Sequence, residues 1–215
     1  MMISTQTLVI FLTTCFFLSA TPGPNMLSAL SMGMRHGLSG AAWGGIGMCL
    51  SLGLLAGLSA LGVGVLLKTS PLAFTIVKWA GVAYLTWLGI QAWRAPIRDA
   101  VGSVDDATAT AGPDRRGQLG LLGQGLLITL SNPKALVFMA AFFPQFIDPQ
   151  RPMAPQLTIL VVTMLIIEFG WIMTYAVGGK GLALRLTGAA AQRWLNRMTG
   201  ALLIGAGLLL AMASL

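Results

Sequence analysis

Thr21-Pro22-Gly23-Pro24-Asn25 interrupts an apolar run that extends from Thr7 to Met34. Each proline removes a backbone donor, clashes with a preceding helical turn, and biases the residue before it away from helix. A run of this length is too long for one helix of a soluble core and suits a tilted membrane span. That places the break near mid-membrane. Lipid offers no partner for the N–H and C=O groups the break frees, so irregular backbone is tolerated there only where protein or a watery cavity covers it. The stretch reads as half of a substrate site.

Composition supports a membrane setting. Of 215 residues, 56% are hydrophobic and 9% charged, and the mean hydropathy is +0.81. Soluble domains carry about 25% charged residues. The length fits a single membrane domain, 1–215, of six helices of about 20 residues each. The net charge of +7 is spread singly and in pairs between apolar runs, which argues against a nucleic-acid partner. Cys15 and Cys49 lie in apolar segments without a C-x-x-C pattern and read as small buried hydrophobes. His36 is the only histidine, which excludes a multi-histidine metal site. No metal and no cofactor is expected. The N-terminus has a signal-like apolar run but no positive n-region, so it reads as a retained first span.

In order, the expected spans are Thr7–Met34, Leu38–Leu67, Leu72–Trp93, Leu119–Phe146, Leu157–Gly178 and Trp194–Ala213. Arg35-His36-Gly37 turns between the first two. Span 2 carries Gly37, Gly40, Gly44 and Gly47 on one stripe and a Gly53/Gly57 small-xxx-small pair, a pattern that lets helices approach closely in lipid. Trp79, Tyr84, Trp87 and Trp93 read as interfacial anchors or packing residues. Arg94–Gly117 is polar, lacks apolar periodicity and reads as a loop. Lys and Arg number nine in loops one, three and five and three on the other side, with Lys134 set apart as intramembrane. The positive-inside bias then puts the long loop in the cytoplasm and both termini outside it.

The two halves, about 1–93 and about 118–215 around the loop at about 94–117, share landmarks. The first span of each is broken by a proline motif, at Pro22/Pro24 and within Ser131-Asn132-Pro133-Lys134. Three spans per half is an odd number, so the halves would cross the membrane in opposite senses. The expected fold is therefore an all-α integral membrane protein, six transmembrane helices as two inverted three-helix repeats with spans 1 and 4 broken mid-membrane. Paired interrupted segments in corresponding positions point to an inverted-repeat transporter. Half-helix N-termini offer free N–H groups to an anion, and freed carbonyls suit an ammonium, so such a site matches a zwitterion. Two structural kinks are the alternative.

Charges at mid-bilayer cost about 2.5–3.5 kcal/mol on insertion scales and usually face a partner or a cavity. Lys134 and Glu168 are the two here. Either they form an ion pair, or Lys134 binds a substrate carboxylate while Glu168 carries a proton or meets the substrate amine. Trp171 and Tyr175 share the Glu168 face at helical spacing, as a cavity wall or as ordinary packing.

Thr21-Pro22-Gly23-Pro24-Asn25, followed by Gly33 and the glycines through Gly47, resembles the opening signature of the LysE superfamily, most of all its homoserine/threonine-resistance (RhtB) branch. Asn132-Pro133-Lys134-Ala135, running into Phe142-Phe143-Pro144-Gln145-Phe146, is similar to that branch's second signature. The resemblance covers essentially the whole chain. It implies a bacterial inner-membrane exporter of amino acids or close derivatives, driven by an ion gradient, with proton antiport as the expected mode. It places substrate binding at Pro22, Gly23, Pro24, Asn25, Asn132, Pro133 and Lys134. Glu168, Trp171 and Tyr175 rest on the physical argument alone. The partners are then an amino-acid substrate and the bilayer, with room for a homo-oligomer. A membrane-embedded enzyme is the rival, but there is no G-x-S-x-G serine and His36 lies at a span end. A scaffold without a transport path is the third reading.

Overall fold

The computed structural model describes residues 3–69, 71–96, 117–148, 150–186 and 189–212, and among these all regular structure is helical. Helix α1, Thr5–Ala20, begins at Ser4, whose hydroxyl accepts from the Thr7 N–H at 3.0 Å. It ends at Thr21, which is extended at φ −67° and ψ 124° because a residue before proline avoids helical ψ. The Thr21 N–H and hydroxyl both donate to Phe17 O, at 3.1 and 2.8 Å.

Helix α2, Pro24–Thr69, is continuous except at Gly37, where φ is +67° and ψ −173°. Glycine adopts this left-handed φ without the Cβ penalty. The chain reverses there: a Cβ on Gly44 would run into Met32 Sδ, although a straight helix would hold these residues about 18 Å apart. This is the turn expected at Arg35-His36-Gly37. Gly37 thus belongs to the turn, and the packing stripe of span 2 begins at Gly40. Helix α3 covers Pro71–Arg94.

The second break is shorter than expected. Helix α4 is Gln118–Leu130 and α5 is Pro133–Val137, leaving only Ser131 and Asn132 between them. Pro133 opens α5 because its fixed φ suits the first helical position, where no N–H partner is available anyway. A π-helical turn, Phe138–Phe142, and a 3₁₀ turn, Phe143–Phe146, continue the arm, which is bent 62° from α4. Helix α6, Met153–Leu186, overruns the expected fifth span at both ends, and α7 is Ala189–Met212. Of the expected loop, positions 97–116 lie outside the described residues.

Pro24–Gly62 and Met153–Gly178 are each long and apolar enough to cross a membrane, and the bent pair Gln118–Leu130 and Pro133–Phe146 makes a third if taken as one span. Helix α2 packs on α4 and α6, α3 on α7, and α1 on α6 and α7. Small residues set the closest approaches, as expected where lipid supplies no hydrophobic drive between helices. A Cβ on Gly125 would overlap the Gly44 backbone, one on Gly33 the Ala176 backbone, and one on Gly200 the Gly89 carbonyl. Gly53 and Gly57 meet nothing within 4 Å among the described residues, so that pair makes no helix contact here. Trp79, Tyr84, Trp87 and Trp93 are exposed along α3, consistent with lipid-facing anchors.

Two apolar clusters form the interior. One gathers Phe11, Cys15, Leu18 and Leu52 with Phe138, Phe142 and Phe146; the other gathers Met26, Leu30 and Met48 with Leu121, Ile172 and Tyr175. The first break passes between them, from Leu18 in one to Met26 in the other.

Candidate functional site: two helix breaks around a buried polar cluster

The breaks at Thr21–Gly23 and Ser131–Asn132 meet in space. Asn132 is the N-cap of α5, its Oδ1 accepting from the Lys134 N–H at 3.0 Å. That leaves its Nδ2 to donate to Asn25 Oδ1 at 2.9 Å. Asn25, in the first turn after the first break, passes the chain on by donating from Nδ2 to Glu168 Oε1 at 3.2 Å. Ser19, in the last turn of α1, donates to the other carboxylate oxygen, Oε2, at 2.5 Å. Asn25, Asn132 and Glu168 are all buried, and a buried amide or carboxylate is costly unless so bonded.

Lys134 answers a different need. The last carbonyls of any helix lack intrahelical partners. The Lys134 ammonium donates to Leu18 O at 2.8 Å and to Thr21 O at 3.4 Å, so a cation from the second break caps the helix that ends at the first. The helix dipole favours a cation at that end. Lys134 and Glu168 do not pair directly: the ammonium is spent on carbonyls, the carboxylate on Ser19 and Asn25. Gly23 lies beside the Lys134 ammonium: a Cβ there would stand 3.4 Å from Nζ, an ordinary contact.

Ser19, Asn25, Asn132, Lys134 and Glu168 all line a cavity of about 30 Å³, completed by apolar side chains including Leu52, Phe138 and Met164. That is space for about one water. Pro22, Gly23, Pro24 and Pro133 shape the breaks without lining it. Trp171 and Tyr175 do not line it either. The Tyr175 hydroxyl donates to Ala20 O at 2.9 Å, another orphaned carbonyl of α1, and Trp171 packs edge-on to Phe16 with centroids 5.2 Å apart.

Three participants carried no readable signal in the chain. Ser19 sits two residues before the proline motif, one small polar residue in an apolar run. Cys15 lines the cavity one helical turn earlier. Thr199 of α7 bonds the Thr21 hydroxyl at 2.7 Å, from 178 residues away. Only the i, i+4 register linking Cys15 and Ser19 was available beforehand.

A charged, hydrogen-bonded cluster buried where two broken helices meet in an apolar helical chain is the kind of site a membrane translocator uses. Among the described residues no group of three or more His, Cys, Asp or Glu side chains could hold a metal. The chain belongs to the LysE type translocator family, whose model matches residues 16–214. It is a transporter and not an enzyme. The homoserine/homoserine lactone efflux protein of Salmonella typhimurium is 38% identical over 203 residues, covering 94% of this chain and 95% of that one. An uncharacterized membrane protein of Vibrio cholerae is 36% identical over 205 residues, with 94% and 95% covered. The leucine efflux protein of Klebsiella pneumoniae is 30% identical over 171 residues, with 79% and 77% covered. No solved structure matches. The family resemblance drawn from the two proline motifs is borne out.

Proposed function

We propose that this protein exports amino acids or close derivatives across the bacterial inner membrane by antiport with protons, its site alternating between the two sides. The observation that carries the reading is the meeting of the two breaks. Asn25 and Asn132 join them, and a cation and an anion, Lys134 and Glu168, flank one cavity. A zwitterion needs both. Its carboxylate takes Lys134, its ammonium takes Glu168 and the carbonyls of Leu18 and Thr21, and Glu168 exchanges a proton when the substrate leaves. The names of the relatives, homoserine/homoserine lactone and leucine efflux proteins, support a small amino acid as cargo.

The fold that goes with this is one domain, 1–215, with six spans in two inverted repeats and both termini outside the cytoplasm. The packing fits such a two-fold. Span 2 meets span 4 at Gly44/Gly125, and its symmetry mate, span 5 on span 1, meets at Ala176/Gly33. Helices α3 and α7, third in each half, meet each other at Gly89/Gly200. Rocking of the halves about the shared cavity would expose it to each side in turn.

The test is uptake of labelled amino acids by everted vesicles, with and without an uncoupler. Gradient-dependent uptake is expected, and Asn25→Ala abolishes it while inserting normally, because it removes the bond between the breaks. No gradient-dependent flux across a broad amino-acid panel would sink the proposal. Flux surviving in Asn25→Ala would move the site elsewhere.

A further inference from the structure

Two cations have a use for the same carbonyls. The Lys134 ammonium donates to Leu18 O at 2.8 Å and to Thr21 O at 3.4 Å, and under the exporter reading those oxygens receive the ammonium of the cargo. Like charges a few ångströms apart repel, so one must leave when the other arrives. Resting on the exporter reading, we infer that Lys134 is a tethered stand-in for the cargo. Its ammonium fills the cargo's ammonium site while the carrier is empty and moves to the cargo's carboxylate when the site is loaded. The empty protein can then return across the membrane with its freed carbonyls satisfied.

The other carbonyls that end α1 are held differently. Phe17 O takes the N–H and the hydroxyl of Thr21, and Ala20 O takes the Tyr175 hydroxyl at 2.9 Å. Those donors sit on backbone, on a short side chain or on a rigid ring. Leu18 O and Thr21 O instead receive a point charge on a flexible four-carbon stem with rotatable donors. The Lys134 backbone is fixed, its N–H donating to Asn132 Oδ1 at 3.0 Å, while its side chain lines the cavity. The ammonium can therefore change partners without a change of backbone.

Space and pairing lead to the same exchange. The cavity of about 30 Å³ holds about one water, so a cargo enters only by displacing a group already there. Asn25, Asn132, Ser19 and Glu168 bind one another across the breaks. In the contact between Lys134 and the carbonyls, both sides find a new partner in a zwitterion: the carbonyls its ammonium, Lys134 its carboxylate. With neither cation present the carbonyls would be left unpaired in an apolar interior, where lipid supplies no donor.

Net efflux and exchange separate this role from simple cargo binding. Proteoliposomes holding the purified full chain are loaded with labelled leucine or homoserine. They are diluted into amino-acid-free buffer, where every cycle needs an empty return, or into saturating unlabelled amino acid, where none does. Lys134→Met loses its hold on the cargo carboxylate in both modes, but only efflux also loses the stand-in. The ratio of efflux to exchange should therefore fall about 10-fold or more, as expected for an unpartnered buried acceptor on the return path. Lys134→Gln, one atom shorter and uncharged, carries the same test if the methionine variant does not fold. Lys134→Arg keeps charged donors and should hold the ratio near that of the wild type. Methylammonium should raise the Tm of purified Lys134→Ala by refilling the site, and tetramethylammonium, which has no N–H, should not. An unchanged efflux-to-exchange ratio in the uncharged variants, or equal stabilisation by the two ions, would overturn the inference and leave the exporter reading standing. Absence of both fluxes from the wild-type protein across a broad amino-acid panel would bring down both.

Discussion

Replacing Lys134 with methionine keeps the length and apolar stem of the side chain and removes only the ammonium. Two stability effects then oppose each other. The variant loses a 2.8 Å bond to Leu18 O and a weaker 3.4 Å bond to Thr21 O. Hydrogen bonds to charged groups contribute about 1.5–3 kcal/mol, and the second is near its distance limit, so the loss is about 2 kcal/mol. The variant is also freed of an intramembrane charge, which costs about 2.5–3.5 kcal/mol on insertion scales. The net change should be a gain of about 0.5–1.5 kcal/mol, a rise of about 1–6 °C in Tm for a chain of this size. Transport has no such compensation. A charge-assisted bond to the substrate carboxylate, at about 1.5–3 kcal/mol, corresponds to a fall of about 10- to 150-fold in flux at low substrate. Thermal melts in detergent and initial uptake rates in everted vesicles, on the same preparation, read the two effects separately. Lost flux with an unchanged or raised Tm supports a substrate-binding lysine. Wild-type flux would refute the role outright. A large fall in Tm alongside lost flux would make Lys134 a structural cap on α1 and nothing more.

Two further predictions use the packing and the topology. Gly125→Ala forces a methyl into the Gly44 backbone and should cost about 1–3 kcal/mol as overpacking, whereas Gly57→Ala, with nothing within 4 Å, should be neutral or gain up to about 1 kcal/mol in helix propensity; equal melts for the two would show that the α2–α4 contact is not as close as described. Reporter fusions at Leu215 and within Arg94–Gly117 should report a C-terminus outside the cytoplasm and a loop inside it, and a cytoplasmic C-terminus would invert the proposed orientation.

The helices and both breaks were legible in the chain because proline and glycine act locally. Pro22, Pro24 and Pro133 cannot sit inside an unbroken helix whatever surrounds them, and Gly37 marks a turn between two apolar runs. Composition alone required a membrane setting, since 9% charged residues cannot clothe a soluble surface. Glu168 and Lys134 stood out for a related reason, the cost of placing a charge in an apolar run. What each charge does was not legible. Partnership across 149 residues, as between Ser19 and Glu168, depends on which helix faces are brought together, and an apolar sequence with weak amphipathic contrast says little about facing. Of the two alternatives for Lys134, the direct ion pair with Glu168 is not formed, the ammonium instead meeting the carbonyls that end α1, a contact created only when the two breaks meet; binding of a substrate carboxylate stays the proposal. Tyr175 shares the Glu168 face by helical arithmetic but bonds Ala20 O, because α1 ends against it. Local backbone chemistry therefore determined that this chain would be a helical membrane protein interrupted at two proline motifs. The tertiary structure decided which freed carbonyls, amides and charges satisfy one another, because those partners lie on different helices and no local rule relates them.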